Sequence, residues 1–212
     1  MNTESKVLIA IAAVVTVAVG ILLVVNGGKD DAAKVADPGK LVRSDSIQTN
    51  PKAKVTVVEF ADLQCPACAA AQPTVQQVKK QFGDRVNFVW RHFPLSIHQN
   101  AQAAAHAAEA ANEQGKFFPY TDKLFASQEA WSEVANANAI QLFVSYGTGL
   151  GVDGAAIKDA ASGQKYKTKI KKDMADGEAL QVVSTPTFFV DGKRVDTSQL
   201  LQAVSEAVNQ QK

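Results

Sequence analysis

The segment "KVTVVEFADLQCPACAA", Lys54 to Ala70, constrains the fold more than any other stretch of the chain. Its first half is β-branched and apolar without polar alternation, the pattern of a strand buried on both faces of a sheet. Its second half opens a helix. Pro66 suits the first helical position, where a missing N–H costs nothing, and puts Cys65 at the N-cap. Val75, Val78 and Phe82 then recur on one side, and Gly83–Asp84 ends the helix. "RVNFVWRHF" reads as a second strand, so strand, helix and strand follow with a crossover long enough for parallel pairing.

The junction also holds both cysteines of the chain, Cys65 and Cys68. A Cys-x-x-Cys pair serves as a redox dithiol, as half of a zinc site or as two buried structural thiols. Structural zinc needs a second pair of ligands. No further cysteine exists, and His92, His98 and His106 are not spaced as a tight ligand pair. Redox chemistry is the favoured reading, with no metal. At the N-cap the Cys65 sulfur faces the unsatisfied N–H groups of the first turn and the positive end of the helix dipole, which favour thiolate. Cys68, one turn on, is placed as the more buried resolving thiol. A stabilised thiolate stabilises the reduced pair and makes its disulfide the stronger oxidant.

Farther along, "HQNAQAAAHAAEAANEQGKF" predicts an alanine-rich helix closing at Gly115. Helical pieces follow around 120–127, 137–146, 154–162 and 165–180. "STPTFFVDGKRVD" predicts two short strands across an Asp191–Gly192 turn, and the chain closes on an amphipathic helix over 198–209. An all-helical block at about 97–181 therefore interrupts a β-α-β and a β-β-α half, which makes an α/β domain over 41–212. A short strand is expected near Leu41 to Arg43. Trp90, Phe93, Phe117, Phe118 and Phe125 read as core, His92, His98 and His106 as structural, and Lys165, Lys167, Lys169, Lys171 and Lys172 as a solvated face.

At the other end, Val7 to Val25 is an uncharged apolar run within a chain of 212 residues. At the helical rise this length crosses a bilayer's hydrocarbon core. The expected order is a short tail at 1–6, a transmembrane anchor at 7–25 and a polar tether at 26–40. Lys29, Lys34, Lys40 and Arg43 follow the run and only Lys6 precedes it, which leaves orientation to the chemistry of the dithiol. A net charge of +1, from 22 Lys+Arg and 21 Asp+Glu, gives no reason to expect a nucleic-acid partner.

"VVEFADLQCPAC", "RHFPLSIHQNAQAAAHAAEAANEQGKF" and "STPTFFVDGKRV", in that order, resemble the DsbA-like thiol:disulfide oxidoreductases of the thioredoxin superfamily, and most of all their membrane-anchored branch with Cys-Pro-Ala-Cys. The resemblance covers about Leu41 to Asn209. It implies a thioredoxin-like fold with a helical insertion and a protein disulfide oxidase without cofactor. Cys65 would attack, Cys68 would resolve, and Glu59 would be the buried acid that moves the Cys68 proton. Thr185 and Pro186 would form a cis-proline loop that, with Pro66 and Ala67, meets the substrate. It further implies thiols of exported proteins as substrates and a DsbB-like or VKOR-like quinone-linked re-oxidant. The expected location is a single-pass cell-membrane monomer, in contact with lipid through its N-terminal helix, with its N-terminus cytoplasmic and its catalytic domain extracytoplasmic. Ala67 stands where strongly oxidising relatives have His, so the direction of electron flow is the least constrained point. A reductase or isomerase on the same fold, or a non-catalytic peptide-binding chaperone, are the alternatives.

Overall fold

The computed structural model describes residues 35–211. The expected tail, the anchor at 7–25 and most of the tether lie outside that range. The sheet has five strands: β1 Ile47–Gln48, β2 Val55–Ala61, β3 Val86–His92, β4 Thr187–Val190 and β5 Lys193–Val195, in the order β1-β3-β2-β4-β5. The β2–β3 pair is parallel and the rest are antiparallel. A parallel pair requires a crossover, and helix α2, Pro66–Phe82, supplies it.

Central β2 alternates between two buried faces. Val55 and Val57 lie with Phe88, Phe188 and Val190 beneath Ala71, Val75, Val78 and Phe82 of α2 and beneath Leu200, Val204 and Val208 of the last helix, α9, Leu200–Gln210. The 3–4 spacing of Cys68, Ala71, Val75, Val78 and Phe82 is the buried stripe of a helix. Each valine and the phenylalanine of that stripe contributes about 1.5–3 kcal/mol on burial. Val58 and Phe60 face the other way, with Leu41, Val89, Phe93, Val182 and Phe189.

Between β3 and β4 the insertion comprises α3 Ala101–Asn112, α4 Phe117–Ala126, α5 Gln128–Trp131, α6 Asn136–Gly149, α7 Gly154–Gly163 and α8 Lys167–Ala179. Ala103, Ala104, Ala107, Ala108, Ala110 and Ala111 are all buried, because methyl side chains let α3 pack closely against neighbours on several sides. Cys65, Cys68 and Trp90 share this helical core with Phe117 and Phe125, so the dithiol lies at the seam between sheet and insertion.

Two local expectations are corrected. The expected strand near Leu41 to Arg43 is a short helix, α1, Pro38–Leu41, because Pro38 starts it and the Asp37 side chain caps the Gly39 N–H at 2.9 Å. Strand pairing begins only at Ile47. The last residues of the expected tether belong to the folded body: the Ala36 N–H donates to Gly192 O at 2.8 Å, and the buried Arg91 guanidinium donates to the Lys40 and Leu41 carbonyls. Arg91 also pairs with Asp173 and Asp176 of α8, both at 2.6 Å, and Arg43 joins the same two carboxylates. Within the expected lysine face, Lys165 pairs with exposed Glu113, but Lys169 turns inward to Glu109, which also accepts from His92 Nε2. Among the described residues no helix is long and apolar enough to cross a membrane.

Candidate active site

Cys65 caps α2 with extended dihedrals, φ −70° and ψ 122°, and Pro66 takes the first helical position. Both cysteines are free thiols, Cys65 at the edge of the buried interior and Cys68 fully enclosed. The Thr185–Pro186 bond is cis, and the Cys65 thiol lies 3.4 Å from Thr185 O. Residues 120 positions apart thus meet at one sulfur. The cysteines, Glu59 and the Thr185–Pro186 loop come together, while Pro66 and Ala67 stand exposed beside them.

The two thiols differ in acidity. Cys65 is held at about 5, below its ordinary 9.0. The largest cause is hydrogen bonding from the Cys68 side chain. Burial opposes it, and the Thr185 side chain and the N–H groups of Cys68 and Ala67 add to it. The Thr185 hydroxyl is buried and unpartnered in the thiol form, free to serve the thiolate. Cys68 is pushed well above 9.0 by burial first, then by its bond to Cys65 and by the Glu59 carboxyl. One sulfur is thereby kept ionised and its neighbour protonated.

Glu59 is 0% exposed, and neither carboxylate oxygen has a hydrogen-bond partner. In register it lies opposite Trp90 of β3 and Phe188 of β4, on the β2 face that α2 covers. Burial pushes its carboxyl up to about 8. Lys79 of α2 pulls it back and Asp122 of α4 pushes the same way as burial. Lys79 Nζ sits over the Phe88 and Phe118 rings, 4.6 and 4.2 Å from their centroids, and lines a cavity of about 250 Å³ together with Asp122. A carboxyl that is protonated near neutrality, beneath a thiol that must gain or lose a proton, is matched to proton transfer.

Sequence reasoning missed several residues around the dithiol. Gln128 Nε2 donates to the Leu63 and Cys65 carbonyls at 2.8 and 3.1 Å. Gln64 ties the same turn to Ser132 and Asn100. Asp62 accepts at Oδ2 from Nδ1 of His98, itself read as structural, at 2.6 Å. These contacts join distant segments and leave no periodic trace in the sequence. His92 has the structural role read for it, accepting the Trp90 indole N–H at Nδ1 and donating to Glu109. Among the described residues, no group of three or more His, Cys, Asp or Glu is placed to hold a metal ion.

A dithiol at a helix N-terminus, facing a cis-proline loop on this sheet with its helical insertion, defines the DsbA-like class of thioredoxin-fold thiol-disulfide oxidoreductases, which use redox-active cysteines without a cofactor. The chain belongs to the thioredoxin family, whose model, described as Thioredoxin, matches residues 43–210. A thioredoxin-like oxidoreductase from Silicibacter pomeroyi DSS-3 is 28% identical, with a TM-score of 0.67 over 82% of this chain and 99% of that one. Pseudomonas aeruginosa DsbA2 is 25% identical, with a TM-score of 0.58 over 75% and 92%. Among curated proteins, the Na(+)/H(+) antiporter NhaA 1 of Salinispora arenicola is 35% identical over 188 residues, which is 88% of this chain and 27% of that protein.

The chain thus spans about a quarter of the length of the curated relatives it matches. These relatives correct the expected location. They bear the names of Na(+)/H(+) antiporters, membrane proteins of which the matching segment is about a quarter, where a single-pass oxidoreductase was expected. The single-pass, extracytoplasmic assignment is withdrawn.

Proposed function

We propose that the chain is a protein disulfide oxidase that donates a Cys65–Cys68 disulfide to the thiols of exported proteins. The observation that carries this reading is the opposite displacement of the two thiols, Cys65 held at about 5 and Cys68 above 9.0. A thiolate stabilised in the reduced pair makes the disulfide oxidising.

A substrate thiolate attacks Cys65 Sγ along the disulfide axis, and Cys68 leaves with the electron pair of the broken bond. Glu59, protonated below about 8, gives its proton to the Cys68 sulfur. A second substrate thiolate then attacks the substrate sulfur of the mixed disulfide and expels Cys65 as a stable thiolate. Thr185 and Pro186, with Pro66 and Ala67, border the approach of the peptide. Ile97 and Val183, 81% and 84% exposed, offer apolar contact on segments that also touch the dithiol turn. Re-oxidation falls to a DsbB-like or VKOR-like quinone-linked partner.

Equilibration of the pair with a glutathione redox buffer tests direction. A potential near about −120 mV fits a disulfide donor, and one near about −270 mV instead fits a reductase. Cys65→Ser should abolish exchange. A chain unimpaired by it would be a binding module and no oxidoreductase.

A second target is favoured by one observation, the antiporter names of the relatives. Cysteines of such a transporter would then be the substrate. In Cys68→Ser the Cys65 thiolate can attack a disulfide of an oxidised partner, releasing one partner thiolate and keeping the other sulfur as a mixed disulfide. No Cys68 thiol can open it, so the trapped partner distinguishes a transporter from exported proteins at large.

A further inference from the structure

Helix α5, Gln128–Trp131, is a single turn, and its two buried residues lie three apart, on one face. They hold different things. Trp131 is fully buried in the insertion: its indole N–H donates to the Leu124 carbonyl at 2.9 Å, and its ring meets Phe143 in a T-shape, centroids 5.0 Å apart. Gln128, 8% exposed, reaches instead to the turn that carries Cys65 from β2 into α2. Its amide nitrogen donates to the Leu63 carbonyl at 2.8 Å and to the Cys65 carbonyl at 3.1 Å. A primary amide has two N–H groups, so both are committed to this turn.

Among the described residues no other group donates to the Leu63 carbonyl. The Cys65 carbonyl also accepts from the Ala69 N–H at 3.1 Å, the bond that starts α2. Gln128 therefore brackets the Cys65 backbone, fixing the Leu63–Gln64 peptide plane before it and the Cys65–Pro66 plane after it. The sulfur on that backbone has to move. As a thiol it donates to Thr185 O at 3.4 Å and makes no capping bond to α2. A thiolate has no proton to donate, is repelled by the carbonyl and turns to the N–H groups of the first turn. With the Cys65 backbone held in its extended N-cap dihedrals, rotation of one side chain suffices. With that backbone loose, sulfur and helix end part.

We propose that Gln128 is a positioning residue for the dithiol: by holding the Leu63 and Cys65 carbonyls it keeps the reduced Cys65 sulfur at the end of α2, and so makes the disulfide a stronger oxidant. This deepens the dithiol reading above and rests on it. The hold counts unequally in the two redox states. In the disulfide, the S–S bond itself ties Cys65 Sγ to Cys68, within the first turn of α2, whatever Gln128 does. In the dithiol no covalent bond does so, and the amide of Gln128 takes over. Reduction by glutathione moves two electrons onto the pair as its S–S bond breaks, and two glutathione sulfurs join. Of their two protons, one goes to Cys68 and the other to solvent, because Cys65 stays a thiolate. Removing the two donors therefore destabilises the reduced side more and moves the equilibrium toward the protein disulfide.

The test uses the full chain with Gln128→Met, which keeps the length and loses both donors, and Gln128→Asn, whose amide falls one methylene short. Three quantities are read: the equilibrium with glutathione, the ultraviolet titration of the Cys65 thiolate, and denaturant unfolding of the oxidised and reduced forms. Gln128→Met should move the equilibrium about fivefold toward the disulfide, the scale of one net hydrogen bond, and raise the midpoint of the thiolate titration. The reduced form should lose more stability than the oxidised form, by that same factor in the unfolding constant. Gln128→Asn should move all three in the same direction by less, and carries the test if Gln128→Met does not fold. An unmoved equilibrium in a folded variant overturns the proposal. So does equal destabilisation of the two forms, which would make Gln128 a packing residue, or a shift toward the dithiol. A wild-type chain that forms no exchangeable disulfide sinks the dithiol reading itself. One that exchanges normally beside an unmoved variant sinks only this proposal.

Discussion

Replacing Glu59 by Gln and, separately, Cys65 by Ser should split a pH profile of stability that is nearly flat for the two groups together. Glu59 titrates at about 8 in the reduced folded chain against an ordinary 4.5. Between those values the folded state holds a proton that the unfolded chain releases, so stability falls as pH rises. From pH 5 to 7 the loss is about 2.5 kcal/mol at 1.36 kcal/mol per unit. Cys65 behaves oppositely, at about 5 folded against an ordinary 9.0. Here the unfolded chain holds the proton, so stability rises over the same window by up to about 2.3 kcal/mol, less whatever solvent screens at the sulfur. Denaturant unfolding of the reduced protein at pH 5, 6 and 7 reads the balance. Glu59→Gln should gain stability with pH and Cys65→Ser should lose it, while the wild type stays between them. Groups common to the three proteins cancel in the differences. Three parallel profiles would refute the assignment of a buried protonated acid beneath an ionised thiol.

Thr185→Val removes a hydroxyl that favours the Cys65 thiolate, so the Cys65 pKa should rise above about 5, read from thiolate ultraviolet absorbance against pH; an unmoved titration would exclude the hydroxyl. Lys79→Met removes the one cation that pulls Glu59 down, so the acid should titrate above about 8 and the fall of stability, which still begins near the ordinary 4.5, should continue to higher pH in denaturant unfolding. Asp173→Ala leaves the fully buried Arg91 without the more buried of its two carboxylates and should cost about 3–5 kcal/mol in denaturant unfolding; a loss under about 1 kcal/mol would mean that Asp176 suffices. Gly177→Ala would set a Cβ 2.8 Å from the Phe93 ring and should cost about 1–3 kcal/mol. Gly163→Ala, with open space around it, should cost nothing and serves as its control.

What was legible in the sequence was the part governed by local rules. The run 55–61, Pro66 at the start of α2 and the period of Val75, Val78 and Phe82 each state a conformation within a few residues, and β2, α2 and β3 follow them. The insertion was legible through its helical punctuation, though the four-residue α5 was too short to leave a period. Glu59 was singled out by the family resemblance, but its lack of any partner is a property of the packed sheet. Lys79 reads as one more cation near a helix C-terminus until α4 brings Phe118 and Asp122 over it. The clamp of His98 on Asp62 and the Arg91–Asp173 pair span 36 and 82 positions. No spacing rule reaches that far, because the choice among distant polar partners is made by tertiary packing.

The alternation of β2 has a consequence for how this chain can vary. Val57 and Glu59 look toward α2, whereas Val58 and Phe60 look toward Phe93 and Phe189. A side chain's face changes with every step along a strand, so a slip of one residue exchanges the two sets. Such a slip would set Val58 or Phe60 beneath Cys68 and leave a carboxylate among phenylalanines. Insertions in the turn at 50–54 that push the strand by an odd number should abolish proton handling even where the sheet still closes. In this molecule the parity of a strand is itself a chemical quantity.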